Sequence, residues 1–359
     1  MREEHDVLLS GLTTMRVGGP AERVVTVGTT DEVVDAIREV DDADEPLLVL
    51  SGGSNLVVAD EGFAGSVVHI ATHGITVSST DSTGGVTVRV AGGEVWDDLV
   101  ARAVAEGWSG IEALSGIPGC AGATPIQNVG AYGQEVAQTI SAVRVWDRRE
   151  QQVHLLANAD CQFAYRDSVF KGGSRYVVLE VMFALRLETV SSPVAYEDLA
   201  RELGVHAGGR VPLEEAREAV LAQRRQRGMV LDPKDHDTWS CGSFFTNPIM
   251  SATAYDRLQA RTQVRLGADA GTVQVPRFDA PDGQVKTSAA WLIERAGFGK
   301  GYGMPGPAAL STKHTLAITN RGSATAANIV ALAAEIRDGV QDAFGVGLGN
   351  EPVLVGFSP

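Results

Sequence analysis

The alternation of apolar and polar residues sorts the chain into short strands and amphipathic helices in mixed order. Glu22–Val27 (ERVVTV) reads as a strand. Thr29-Thr30-Asp31-Glu32 has the form of a capping box, and Val33, Val34, Ile37 and Val40 follow at helical spacing. Leu47–Leu50 is a buried strand that runs into a polar, glycine-bearing loop, and Gly65–Ile70 is another strand. Farther on, Val86–Ala91 and Ala142–Asp147 flank a helix over 95–106 whose apolar stripe is Val95, Leu99, Ala103 and Val104. Tyr176–Leu187 (YVVLEVMFALRL) is nearly continuous in apolar residues, as expected of a strand covered on both faces. Helices are expected over 213–225, Ala289–Ala296 and Ala324–Phe344, with strands at Ala317–Asn320 and Glu351–Gly356. No repeat or low-complexity block interrupts this order. Three regions differ in texture, with boundaries near 72 and 228.

A chain of 359 residues exceeds one ordinary core and calls for two or three domains. Its composition, 44% hydrophobic and 21% charged, is globular. The net charge of −15 argues against nucleic acid and against an anionic membrane surface as partners. An anionic substrate would need local basic residues. Cys120, Cys161 and Cys241 are scattered and odd in number, which indicates neither a disulfide framework nor a paired metal site, and suits a reducing compartment. The N-terminal MREEHDVLLSGLTTM lacks the apolar stretch of a signal peptide, and no run is long enough to span a membrane. The expectation is a cytoplasmic protein, monomeric because no heptads are sustained, with no metal.

Several segments stand out as candidate chemistry. Ser51-Gly52-Gly53-Ser54-Asn55, directly after LLVL, is either a tight turn or a loop whose amides approach a phosphate. Ser115–Glu135 (SGIPGCAGATPIQNVGAYGQE) is long, glycine-rich and almost uncharged, so it is either a buried crossover or backbone packed against a flat ligand. In Tyr165-Arg166-Asp167-Ser168, Asp167 is the expected orienting partner of Arg166, a surface salt bridge being the alternative. Gly242-Ser243-Phe244-Phe245-Thr246-Asn247-Pro248 sets a hydroxyl beside two aromatics, without the pattern of a hydrolase nucleophile. Asp235-His236-Asp237 reads as an exposed loop rather than a metal site. Gly301–Gly306 matches GxGxxG but lacks the strand before it, so it is not a dinucleotide site. Arg224, Arg225 and Arg227 form a basic cluster, either a solvated helix face or an anion contact.

Taken in order, TTMRVGGPA at 13–21, SGGSNL at 51–56, the 115–135 stretch, YRDS at 165–168, GSFFTNP at 242–248 and Glu351 resemble the MurB family, the UDP-N-acetylenolpyruvoylglucosamine reductases. The resemblance spans nearly the whole chain. It implies an α+β fold: a two-part FAD-binding fold of the vanillyl-alcohol-oxidase/PCMH type plus a smaller α/β substrate domain. The parts are 1–72, joined by 345–359, then 73–228, then 229–344. Non-covalent FAD is implied, since residues 49–57 hold no His or Cys to tether it. The flavin contacts carried over are Ser51, Gly52, Gly53, Ser54, Asn55 and Leu56 from the first loop. The second loop supplies Ser115, Gly116, Ile117, Pro118, Gly119, Gly122, Ala123 and Thr124, then Gln127, Asn128, Gly130, Ala131 and Tyr132.

The same resemblance implies that NADPH reduces the flavin, and that UDP-N-acetylenolpyruvoylglucosamine then takes the hydride at C3 of its enolpyruvyl group. Arg166 would stabilise the substrate carboxylate, Glu351 the developing enolate, and Ser243 would protonate C2. Tyr165, Tyr196, Arg225, Arg227, Asn247 and His314 are the expected substrate contacts. Tyr196, in Pro193–Leu199, marks the family type whose tyrosine loop covers the diphosphate. Thr246 and Arg227 stand where many members carry lysine, which rearranges the phosphate contacts. Two other readings compete: a sugar or hydroxy-acid oxidase on the same flavin fold, and a non-catalytic nucleotide-binding protein.

Overall fold

The computed structural model describes residues 1–80, 84–267 and 273–357. The chain divides into two units, one of 1–8, 20–53 and 62–230, the other of 9–19, 54–61 and 231–359.

The described residues of the first unit form two larger sheets and the helices α1 (Thr30–Asp42), α2 (Trp96–Ala105), α3 (Glu197–Glu202) and α4 (Leu213–Gln226). In the smaller sheet Arg2–Leu8 pairs antiparallel with Pro20–Val27, which pairs in parallel with Phe63–Ile70, and Leu47–Leu50 completes the order. The cap of α1 forms as expected. Thr29 accepts from the Glu32 amide at 3.2 Å, and the Glu32 carboxylate reaches back to the Gly28 amide at 2.8 Å. Val33, Val34 and Ile37 are buried against Val25, Val27 and Val68, and Val40 is buried as well.

The larger sheet is antiparallel, in the order Gln152–Ala157, Ile140–Asp147, Tyr176–Leu187, Gly85–Ala91, Ile75–Thr80. Its long central strand buries Val181, Phe183 and Leu185 against α2 residues Trp96, Leu99 and Ala103. Val95 does not share that stripe. It is the N-cap residue of α2 and is 42% exposed, because the helix starts one residue later than its spacing suggests. Phe183 is fully buried and its ring lies 5.7 Å from that of Trp96. Phe183→Ala should cost about 3–5 kcal/mol of stability, read from urea unfolding. A loss below about 1 kcal/mol would mean that the sheet closes over the void.

The second unit packs α5 (Ala252–Leu266), α6 (Ala289–Ala296) and α7 (Ala326–Phe344) with several two- and three-residue strands. Its core joins Leu292 and Ile293 of α6 to Ile329, Ile336 and Val340 of α7, with Phe244 and Phe245 among them. Thr325 caps α7 with a reciprocal box to Asn328, and the Asp60 carboxylate takes the amides of Ala326 and Ala327 at 2.7 and 2.9 Å. Val353–Val355 pairs in parallel with Leu56–Val58, which directly follows the SGGSN segment. Gly301–Gly306 is a turn ahead of Ala308–Leu310, with no helix opening from it.

Candidate active site

In the first unit the two glycine loops touch. A Cβ on Gly52 would stand 2.6 Å from the Cα of Gly119, and one on Gly122 would stand 2.8 Å from the Cα of Gly92. Only glycine permits approaches this close. The loop is laced to the start of α2. The Trp96 amide donates to the Gly119 carbonyl at 3.0 Å, and its indole donates to the Leu114 carbonyl at 3.0 Å. Burial raises the Cys120 pKa although the Ser51 hydroxyl bonds it, so it is a weak nucleophile.

Within 115–135 the backbone is irregular, with one short turn of helix at Ala121–Ala123 and a two-residue hairpin pair, Gly130–Ala131 with Gln134–Glu135. The Gly116 amide is already spent, donating to Asp97 at 2.6 Å, while Arg217 grips the same carboxylate with bonds of 2.7 and 2.8 Å. At φ +70°, a side chain on Gly116 would meet Leu221 at 2.7 Å. Ser115 is fully buried with its hydroxyl on the Glu112 carbonyl. The Thr124 hydroxyl bonds the Ala121 carbonyl at 2.7 Å. Asn128 spends its side chain on Glu135, the Ala164 carbonyl and the Ala137 amide. Ile117, Pro118, Ala123, Gln127 and Ala131 are half-buried along it.

Arg166 is drawn to this loop, not to Asp167. Its Nη2 donates to the Gly130 carbonyl at 2.6 Å, its Nη1 to that of Asn128 at 3.4 Å, and Glu135 lies 3.9 Å away. Asp167 is exposed, and its backbone closes a bridge with Ala164 that turns the two side chains to different surroundings. The guanidinium also lies 5.2 Å from the Tyr165 ring centre. Asn128, Tyr132 and Arg166 all hold positive φ, 46°, 51° and 53°. Left-handed backbone at three neighbouring non-glycine residues is strain of the kind that gathers at functional sites.

Tyr132 and Tyr196 meet edge to face with centroids 5.6 Å apart, and the Arg227 guanidinium stands 5.9 Å from the Tyr132 ring. The basic triplet at the end of α4 splits three ways. Arg225 faces solvent. Arg224 turns inward, donating from Nη2 to the Met229 carbonyl at 2.7 Å, and its sealed Nε has no partner among the described residues. Burial lowers the Arg224 pKa to about 10.

In the second unit Ser243 lies in a loop pinned on both sides. The Phe244 amide donates to the Leu316 carbonyl at 2.7 Å, and the Phe244 carbonyl accepts from the Glu351 amide at 2.9 Å. Thr246 bonds Gly349, Phe245 bridges Asn350, and Asn55 donates from Nδ2 to the Glu351 carbonyl at 3.2 Å. The half-buried Ser243 and Glu351 are thereby held on adjoining backbone. His314 is in the same turn as Leu316, its amide on the Ser311 hydroxyl. Asn247 spends its Oδ1 on the Ala289 amide at the start of α6. Asp235-His236-Asp237 is not an exposed loop. Asp237 is buried, taking bonds from Thr312 and from Arg321 at 2.8 Å, and Asp235 pairs with Lys313. The cations neutralise carboxylates that the sequence alone left uncompensated.

Residues 232–355 match the UDP-N-acetylenolpyruvoylglucosamine reductase C-terminal domain, and 21–156 match an FAD binding domain. A UDP-N-acetylenolpyruvoylglucosamine reductase of Streptomyces coelicolor is 56% identical over 100% of this chain and 91% of its own. One from Thermobifida fusca is 55% identical over 98% of each. The crystal structure of UDP-N-acetylenolpyruvylglucosamine reductase from Thermus caldophilus superposes with a TM-score of 0.65 at 27% identity, covering 99% of both chains. The chain belongs to the UDP-N-acetylenolpyruvoylglucosamine reductase family.

Membership makes it an FAD-dependent oxidoreductase, and the α+β flavin fold expected from the sequence is borne out. The residues present fit the cofactor. The Gly52–Gly119 and Gly122–Gly92 approaches make a surface that a Cβ would fill, and the thiol of the adjacent Cys120 is half-buried and bonded, in keeping with a non-covalent flavin. Two supports of this reductase were not legible beforehand. Glu135 ends the 115–135 motif but shows no sign there of its place beside Arg166, and Asp97, which anchors Gly116, carries no motif signal at all.

Burial alone would raise the Asp97 pKa, but bonds from Arg217 and the Gly116 amide outweigh it and hold the carboxyl below its ordinary value. A lowered folded-state pKa adds stability above the unfolded value, about 3.9, which is lost as pH falls through the folded one. The native protein should melt above Asp97→Asn near neutrality, with the gap closing below about pH 4. Parallel melting curves across that range would refute the linkage.

Proposed function

We propose that the protein reduces the enolpyruvyl group of UDP-N-acetylenolpyruvoylglucosamine to the lactyl group of UDP-N-acetylmuramate, with NADPH as reductant. The observation that carries this reading is the bond from the Glu351 amide to the Phe244 carbonyl, which sets Glu351 and Ser243 on adjoining backbone. The names of relatives at 55–56% identity support the substrate.

The bound flavin supplies hydride transfer, and the chain supplies position and charge. Arg166 stabilises the substrate carboxylate as negative charge spreads into it, most strongly where water is excluded. Ser243 gives its hydroxyl proton to C2, a carbanion-like centre basic enough to take it. Glu351 serves the enolate as a hydrogen-bond donor, so Glu351→Gln should keep more turnover than Glu351→Ala. Equal losses in steady-state kcat would remove the donor role.

Tyr196 and Arg227, gathered on Tyr132, are the proposed diphosphate contacts, with Asn247 and His314 on the sugar nucleotide. Tyr165 packs on the Arg166 guanidinium, and the exposed Arg225 is the outermost contact. We assign 1–72 and 73–228 to flavin binding and 229–344 to the substrate, in a monomer acting in the cytoplasm. Supplying cell-wall precursor, the reaction would bear on cell shape and division. No helix among the described residues is long and apolar enough to cross a membrane.

The test is the visible spectrum of the purified protein. NADPH should bleach a flavin band, and the enolpyruvyl sugar should restore it without oxygen. A yellow protein recoloured only by oxygen would be an oxidase. A colourless one that FAD cannot reconstitute would sink the flavin reading as well.

A further inference from the structure

The second unit holds a cavity of about 430 Å³ that none of the residues given above to flavin or sugar nucleotide lines. It lies between α5 and the C-terminal end of α7, with Ile249 on a third side. Its apolar wall is Leu258, Phe344 and Val346, all buried. Two cations complete it. Arg257 and Arg261 stand one turn apart on the exposed side of α5.

These arginines are unusual for where they are. The chain carries 45 acidic side chains and a net charge of −15, yet among the described residues neither arginine has an ion-pair partner. Arg261 is held in place. A Cβ on Gly345, the C-cap of α7 at φ +70°, would collide with its guanidinium, so the cation rests on the end of that helix. The helix dipole favours a positive charge there. Capping α7 accounts for Arg261 but for neither Arg257 nor the cavity. A concave site of a few hundred Å³ with apolar walls and a few fixed polar groups has the build of a small-molecule site. Paired guanidinium forks suit the oxygens of a phosphate.

We propose that this cavity binds a phosphate monoester carrying a ring, with Arg257 and Arg261 on the phosphate and the ring against Leu258, Phe344 and Val346. The test is calorimetric titration of the FAD-loaded protein with phenyl phosphate and with adenosine monophosphate. The protein is kept saturated with UDP-N-acetylglucosamine to fill the sugar-nucleotide site. One saturable site is expected, weakened at least about tenfold in Arg257→Gln/Arg261→Gln, with turnover in the absence of probe unchanged. Inorganic phosphate alone should bind at least about tenfold more weakly than the esters. No binding by either ester, equal affinity in the double variant, loss of binding under saturating UDP-N-acetylglucosamine, or phosphate binding as tightly as the esters would each overturn the site.

Discussion

Replacing Ser243 with alanine should leave reduction of the flavin by NADPH untouched and slow its reoxidation by the enolpyruvyl sugar by about two to four powers of ten. The asymmetry follows from where the hydroxyl acts. Hydride transfer from NADPH needs no proton at C2 of a substrate that has not yet entered. The second half-reaction leaves a carbanion-like centre that collapses productively only when protonated, and losing a placed donor costs about that much. The loop itself should survive the change. Its hold comes from backbone bonds at Phe244 and Thr246. Anaerobic stopped-flow absorbance separates the two steps. If both slow together, Ser243 is a folding or flavin-site residue and another group protonates C2.

Arg166→Ala should cost about two to three powers of ten in kcat, again in the second half-reaction. A fixed cation in a dry site is worth most where charge grows, and Arg166 is fixed by two loop carbonyls, by Glu135 and by its own left-handed backbone. Alanine carries the same backbone strain, so the substitution does not gain stability by relieving it. Arg166→Lys should recover little, because an ammonium cannot span the Gly130 and Asn128 carbonyls with a planar fork. A lysine variant near native rate would mean that only charge at this position matters.

Much of this was legible in the sequence. Helices α1, α4, α6 and α7 lie where their spacing puts them, and Tyr176–Leu187 has the bounds that its apolar run marks. What escaped shares a physical cause. Arg2–Leu8, Ile75–Thr80 and Gln152–Ala157 lie at sheet edges, and most of their residues are exposed. A strand with no buried face has no alternation to read. Helix α5 was missed for a like reason, since it buries only Tyr255, Leu258 and Thr262. Motif residues were visible, but their supports were not. Asp97 and the pairing of Glu135 with Arg166 depend on partners distant in sequence. Asp167 was the natural neighbour for Arg166 by adjacency, and a local hairpin bridge takes it elsewhere.

The parallel pair of Val353–Val355 with Leu56–Val58, and the bond between Asn55 and Glu351 across 296 residues, have a consequence for how the protein is made. On the ribosome, Asn55 emerges early and must wait for nearly all of the remaining chain before its partner exists. Contacts of such separation form late, because the intervening loop has to close first. A nascent chain can therefore complete its larger antiparallel sheet while still lacking Glu351 and the strand after it. The pairing of Leu56–Val58 with Val353–Val355 therefore closes only after synthesis has passed residue 355.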